Sequence, residues 1–364
     1  MLVSDLDTPA AVVDLDAMED NIRRLAEYCK EHGLSQRPHT KTHKTPAIAH
    51  KQVDAGAVGI TVAKVGEAEV MAAGGLKDIF IAYPVIGDIK QERLARLANQ
   101  VTITAACDSR EGIEGLSQHA REENSTIKIL VDVDSGLHRT GVASVEDAVE
   151  LAKLVEQLPN LEFEGIMVYP GHLWHDLEHW KEIALAEGPL IQKVLKALRA
   201  EGLEARTVSS GGTASAYMCH LVEGLTEVRS GTYVFNDLMG VGIGEVAMEQ
   251  CALNVVVTVA SSPEPGRVIV DGGSKTFSSD RDGSGKFPGF GQIREYPGVY
   301  IEWMNEEHGV LNVEATDHRF KVGERLTVVP NHACVVTNLH PEIVGVRKGR
   351  VETIWEVQGR GKLK

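Results

Sequence analysis

The first two thirds of the chain alternate between short apolar strand patterns and amphipathic helix patterns, and this rhythm is the strongest constraint on the fold. The strand candidates are RPHTKTH, VGITVA, DIFIAYP, VTITAACD, IKILVDVD, EFEGIMVYP, RTVSS and LTEVRSG. Between them stand helix patterns such as TPAIAHKQVDAG, KVGEAEVMAAGG, DIKQERLARLANQ, SVEDAVELAKLVEQ, a long one running to about residue 200, and TASAYMCHLVEG. A leading helix, capped by Asp16 and stopped by Gly33, sets Ile22, Leu25, Ala26 and Cys29 on one face. Strict alternation implies a parallel sheet with crossover helices. Eight such units over roughly 210 residues fit an α/β architecture of the closed (β/α)8 TIM-barrel kind. An open doubly wound sheet is the runner-up, but no GxGxxG opens the first strand–helix turn.

After about residue 245 the texture changes. NVVVTVASSPEPGRVIVDGG, RFKVGERLTVVPNHACVV and EIVGVRKGRVETIWEV are β-rich runs joined by turn signals. The expected division is a barrel over residues 12–245 and a mostly β domain over 246–364. Residues 1–11, in LDTPAAVVDL, are expected to pair with the second domain.

Composition narrows the function. A formal net charge of −15 argues against a broad nucleic-acid surface. No apolar run approaches the ~20 residues that span a bilayer. The acidic start lacks the basic n-region of a signal peptide. The 5 cysteines are widely spaced with no CxxC pair, which reads as reduced thiols in a cytoplasmic protein.

Within this acidic chain, RPHTKTHK gathers Arg37, His39, Lys41, His43 and Lys44. On a strand, the period of two places Arg37, His39, Lys41 and His43 on one face. The C-terminal strand ends of such a barrel build its active site. A lysine among other cations there has its pKa lowered toward nucleophilicity. The plainer alternative is a salt-bridged lysine on the barrel rim. A second feature is SSGGTAS after the seventh strand, a Gly-rich turn leading into a helix pattern. Its backbone N–H groups make Ser210, Gly211, Gly212 and Thr213 candidate phosphate ligands, joined by Gly231 and Thr232 of RSGTY after the eighth strand. The alternative is an ordinary loop with a Ser/Thr cap. A strand-end lysine facing a phosphate cradle suits pyridoxal 5′-phosphate (PLP), whose aldehyde bonds a lysine. A third feature is PNHAC, where His332 and Cys334 share one face if the segment is a strand. Imidazole and thiolate suit Zn²⁺, with Mn²⁺ or Mg²⁺ as other divalent metals, against the alternative of a core cysteine beside a polar histidine.

Taken in order, RPHTKTHKT, DVDSGLHRTGV, SSGGTAS, EVRSGTYVFND, NEEHG and PNHAC resemble the D-serine dehydratase and D-threonine aldolase branch of the alanine-racemase-type (fold type III) PLP enzymes. The resemblance covers nearly the whole chain. It implies that Lys41 bonds the cofactor, that Arg139 approaches its phenolic oxygen and that Tyr169 lies near its ring. It further implies that Gly211, Gly212, Thr213, Gly231 and Thr232 hold the phosphate and that Arg229 faces the pyridine nitrogen. His39, Ser210 and Tyr233 complete the expected cofactor set. A guanidinium opposite the ring nitrogen keeps that nitrogen unprotonated and weakens the electron sink.

In this branch aldolases tend to carry HxD where dehydratases carry HxC, so His332 and Cys334 tilt the reading toward a dehydratase. The implied activity is a metal-assisted lyase acting on 3-hydroxy-D-amino acids, eliminating to a 2-keto acid and ammonia. Retro-aldol cleavage to glycine and an aldehyde is the alternative, ahead of an amino-acid racemase or a non-catalytic PLP-binding protein. The family likeness also implies a homodimer. His308, in NEEHG, has no assigned role. Cys29 reads as core, and Asp132 and Asp134 as residues that orient Arg139.

Overall fold

The computed structural model describes all residues, Met1–Lys364. The chain divides into two compact units. One comprises residues 24–41, 46–231 and 361–364, and the other residues 1–23, 42–45 and 232–360.

The first unit is a parallel eight-stranded barrel. Strand β1 (Ala10–Asp14) belongs to the other unit, and the barrel strands follow it. They are β2 (Ser35–Gln36), β3 (Ile60–Val62), β4 (Asp78–Ile81), β5 (Thr102–Cys107), β6 (Ile127–Asp132), β7 (Leu161–Met167), β8 (Thr207–Ser210) and β9 (Glu227–Val228). Consecutive strands from β3 to β9 pair in parallel, and β9 pairs with β2. The ring closes between β2 and β3, where Thr61 N–H donates to Pro38 C=O at 2.8 Å and His39 forms a parallel bridge with Thr61.

These strands are continuous apolar runs because both faces are covered, one by helices and one by the barrel interior. Phe80, Ala106, Leu130 and Met167, from four adjacent strands, pack into one buried hydrophobic cluster. The helices are amphipathic and capped. Ser109 accepts from Gly112 N–H ahead of helix Arg110–Glu122, and Ser144 accepts from Asp147 N–H ahead of helix Val145–Gln157. Tertiary burial then holds them. Helix Leu15–Glu31 buries Ile22, Leu25 and Cys29, and each aliphatic side chain so covered contributes about 1.5–3 kcal/mol. Burial raises the Cys29 thiol pKa to about 12, as befits a core residue.

The second unit is built on a nine-stranded sheet. Its strands are β1, β10 (Leu253–Glu264), β11 (Arg267–Val270), β12 (Gln292–Ile293), β13 (Tyr300–Met304), β14 (Gly309–Asn312), β15 (Arg325–Val329), β16 (Glu342–Arg347) and β17 (Arg350–Glu356). The order is β11-β14-β13-β12-β15-β10-β1-β16-β17, and β10 also pairs with β11. The long β10 thus bends the first six strands into a ring. Strand β1 lies between β10, antiparallel, and β16, parallel.

Four local expectations are corrected. RPHTKTH is not a full strand: pairing ends at Gln36, and Thr40–Thr42 form a 3-10 turn, so the alternation of side chains stops before Lys41. Within it, Arg37 is tied to Asp78 and Glu227, while His43 is fully buried in the second unit, edge-on to Phe235. The leading helix starts at Leu15, and Asp14 rather than Asp16 caps it by accepting from Ala17 N–H at 3.1 Å. The long helix is broken into a 3-10 turn over Gly171–His175 and helices Trp180–Leu185 and Glu187–Ala200. TASAYMCHLVEG forms only a 3-10 segment, Ala216–Leu221, despite several strong helix formers in the run.

Candidate active site

Within the barrel unit, the candidates cluster at the C-terminal strand ends. Lys41 lies five residues beyond β2 and is exposed, and its ammonium carries no ion pair. That removes the salt-bridged rim reading. Its backbone N–H donates to His39 Nδ1 at 3.3 Å, and His39 N–H donates to Ser230 C=O at 3.1 Å. Arg139, exposed on the loop after β6, lies 5.0 Å from the centroid of the Tyr169 ring, which follows β7.

The turn after β8 is shaped for close backbone approach. Gly211 has φ +84, and a Cβ there would lie 2.7 Å from Cys219 Sγ. A Cβ on Gly212 would lie 3.2 Å from the Tyr169 ring. Ser230 Oγ donates to Gly212 C=O at 3.0 Å, linking this turn to the one after β9.

Arg229 is buried. Its Nε donates to Ser209 Oγ at 3.0 Å, and its Nη2 donates to Val168 C=O at 2.5 Å and to Ser209 C=O at 3.4 Å. None of these bonds uses Nη1. Burial lowers its pKa, opposed by Glu227, Asp132 and Glu187. Asp132 accepts from Thr140 Oγ1 at 2.8 Å, and burial raises it to about 6. Asp134 accepts from Gly136 and His138 N–H and shapes the Arg139 loop.

Two acids escaped the sequence reading. Glu227 accepts from Arg37 and from Ser209 Oγ. Glu187 accepts from Ser210 Oγ at 2.6 Å and from Ser135 Oγ at 3.1 Å, and burial raises it to about 7. Neither has a sequence signal, since Glu187 simply opens a helix and Glu227 sits in a strand. His172, on the turn after Tyr169, has a buried Nδ1 with no hydrogen-bond partner.

The second unit holds the other candidates. His332 caps helix Ala333–Leu339 and Cys334 lies in its first turn, so PNHAC is not a strand. The pair still meets, by a side-chain hydrogen bond, because a helix start folds residues two apart toward each other. His332 Nδ1 lies 2.7 Å from Asp280 Oδ2. Burial disfavours the imidazolium, but Cys334, Asp237 and Asp280 together raise its pKa to about 9. Cys334 Sγ is 3.2 Å from Thr42 Oγ1 and 3.4 Å from Thr232 Oγ1. Thr232 and Tyr233 form a 3-10 turn in this unit, with Tyr233 buried. His308 is exposed on the turn between β13 and β14.

Residues 13–238 match the family described as alanine racemase, N-terminal domain, and residues 252–346 match a putative serine dehydratase domain. The chain belongs to the alanine racemase family. A family relative, the 3-hydroxy-D-aspartate aldolase of Paracoccus denitrificans (strain Pd 1222), is 36% identical over 99% of this chain and 93% of its own. The crystal structure of D-threonine aldolase from Filomicrobium marinum has a TM-score of 0.93 at 34% identity, covering 100% of this chain and 99% of that one. The D-threo-3-hydroxyaspartate dehydratase from Delftia sp. HT23 has a TM-score of 0.90 at 31% identity, covering 98% of each. A cysteine-to-alanine variant of that dehydratase is solved in the metal-free form. The chain is thus a PLP-dependent lyase of the D-serine dehydratase or D-threonine aldolase type.

The residues present fit the family's groups. A lysine without a partner, a glycine turn that side chains would fill and an arginine beside Tyr169 suit an aromatic phosphate. His332 and Cys334 are a soft donor pair, although no third His, Cys, Asp or Glu converges with them. No helix is long and apolar enough to cross a membrane.

Proposed function

We propose that the protein eliminates the hydroxyl of 3-hydroxy-D-amino acids such as D-serine, yielding a 2-keto acid and ammonia, with PLP and a divalent metal, Zn²⁺ foremost. Bound PLP supplies an electron sink for the bond broken at Cα, and the metal a Lewis acid for the 3-hydroxyl. Lys41 would hold PLP through its aldehyde, and its Nζ would accept the proton from the substrate Cα. Gly211, Gly212, Thr213, Gly231 and Thr232 would hold the phosphate, with His39, Ser210 and Tyr233 beside them. Arg139 and Tyr169 would flank the ring, and Arg229 would face its nitrogen. His332 and Cys334 would hold the metal.

The observation that carries elimination is a cysteine, Cys334, at the second position of the HxC pattern beside His332. A carboxylate at that position would give the HxD pattern of aldolases. Retro-aldol cleavage is a second reading, favoured by the 36% identity to a 3-hydroxy-D-aspartate aldolase. The same reading makes the enzyme a cytoplasmic homodimer. Incubating the protein with D-serine, D-threonine and 3-hydroxy-D-aspartate, with and without chelator, tests it. Keto acid formation that stops on chelation supports elimination, glycine and aldehyde support cleavage, and chelator-resistant turnover defeats the metal.

A further inference from the structure

Glu187 opens helix Glu187–Ala200 yet is only 3% exposed. Acidic residues at a helix N-terminus are ordinarily solvated, and a carboxylate this buried is costly unless its oxygens find donors. Each oxygen here finds one, Oε2 from Ser210 at the end of β8 and Oε1 from Ser135 on the loop after β6. Ser210 Oγ donates to Oε2 at 2.6 Å, and Ser135 Oγ donates to Oε1 at 3.1 Å. Ser210 directly precedes the Gly211–Gly212 turn. Ser135 lies in the loop that carries Arg139, whose base is pinned by backbone bonds between Asp134 and Val142 and between Val142 and Asp132. The groups facing the carboxylate are these two hydroxyls, the Arg229 guanidinium and the Cys219 thiol. The single Ser210 hydroxyl proton is spent on Glu187, so this side chain serves the turn's placement rather than donating to an anion.

We infer that Glu187 is a positioning residue: one buried carboxylate clamps the phosphate turn through Ser210 and the Arg139 loop through Ser135, fixing the two walls between which the cofactor binds. The inference rests on the PLP reading above. The two loops have no sequence proximity, and their spacing must match a rigid ligand that touches both. A carboxylate with two divergent acceptors sets that spacing as one packed hydroxyl could not.

The test uses the PLP-loaded protein, following cofactor release by its visible absorbance and amide exchange over residues 134–141 and 211–214. Glu187→Ala is expected to raise the PLP dissociation constant about tenfold and to speed exchange in both loops together. Glu187→Gln, whose amide accepts from one serine and donates to the other, is expected to stay within about threefold of the parent. Ser135→Ala alone is expected to weaken PLP several-fold, and to add nothing once Glu187→Ala is present. Should Glu187→Ala not fold, Ser135→Ala and Ser210→Ala decide. The inference is overturned if these variants hold PLP within about twofold of the parent, or if in Glu187→Ala exchange rises in one loop only. A parent protein that takes up no PLP defeats the functional reading instead, so the two failures are distinguishable.

Discussion

His332 presents Nδ1 to Asp280 Oδ2 across 2.7 Å while its ring also bonds Cys334. An ionised carboxylate only accepts, so Nδ1 is the donor to Asp280 and the ring's orientation is fixed by it. Metal-binding histidines are commonly oriented this way. Asp280→Ala is expected to loosen Zn²⁺ about 10–100-fold, measured by competition with a chromophoric chelator. Asp280 is exposed, so thermal stability should stay nearly unchanged. Undiminished Zn²⁺ affinity would remove the orienting role.

Cys334→Asp exchanges a soft ligand for a hard one. It is expected to keep some metal, to shift preference from Zn²⁺ toward Mn²⁺ or Mg²⁺, and to raise aldehyde relative to keto acid formed from D-threonine. An unchanged product ratio would mean that this ligand does not choose the bond broken.

Gly212→Val places side-chain carbon where Tyr169 stands 3.2 Å from a Cβ. PLP retention on gel filtration should fall about tenfold or more, with a melting temperature close to the parent's. Equal retention would move the phosphate elsewhere.

Lys41→Ala should abolish the visible absorbance band while leaving the circular dichroism spectrum intact, because Lys41 is exposed and supports no core contact. A protein that stays yellow after this substitution would exclude Lys41 as the cofactor-bearing residue.

The buried Glu187 predicts a pH effect on stability. Burial raises it from the usual carboxylate range to about 7, so the folded chain retains a proton that the unfolded chain releases. Its contribution is full below the unfolded pKa and is lost as pH rises through 7. Between pH 5 and pH 8 the parent should lose stability, on the order of 2–3 kcal/mol, relative to Glu187→Gln in denaturant unfolding. A pH-independent difference between the two would contradict the raised pKa.

The barrel was legible because its signals are local. Runs such as IKILVD and SVEDAVELAKLVEQ declare strand and helix within a few residues. Lys41 and the glycines around 211 stand out for the same reason, as chemistry grouped in sequence. What sequence could not show depends on partners far along the chain. Nothing in RPHTKTHK says that Arg37 turns to Asp78 and Glu227 while His43 goes to another core. Glu187 meets Ser135 and Ser210 only once the barrel is formed. HxC failed as a strand pattern because His332 is a helix cap, which the alternation of PNHAC does not distinguish.

Strand β1 lies in the interior of its sheet, yet its neighbours β10 and β16 begin at Leu253 and Glu342. During synthesis the segment emerges well before both neighbours, and β16 reaches it only after about 330 further residues. Until then its valines remain an unpaired template open to other chains, while barrel strands pair with neighbours made moments before. The nine-stranded sheet is thus a structure of high contact order completed late, and its assembly, more than that of the barrel, should set the pace at which newly made protein becomes active.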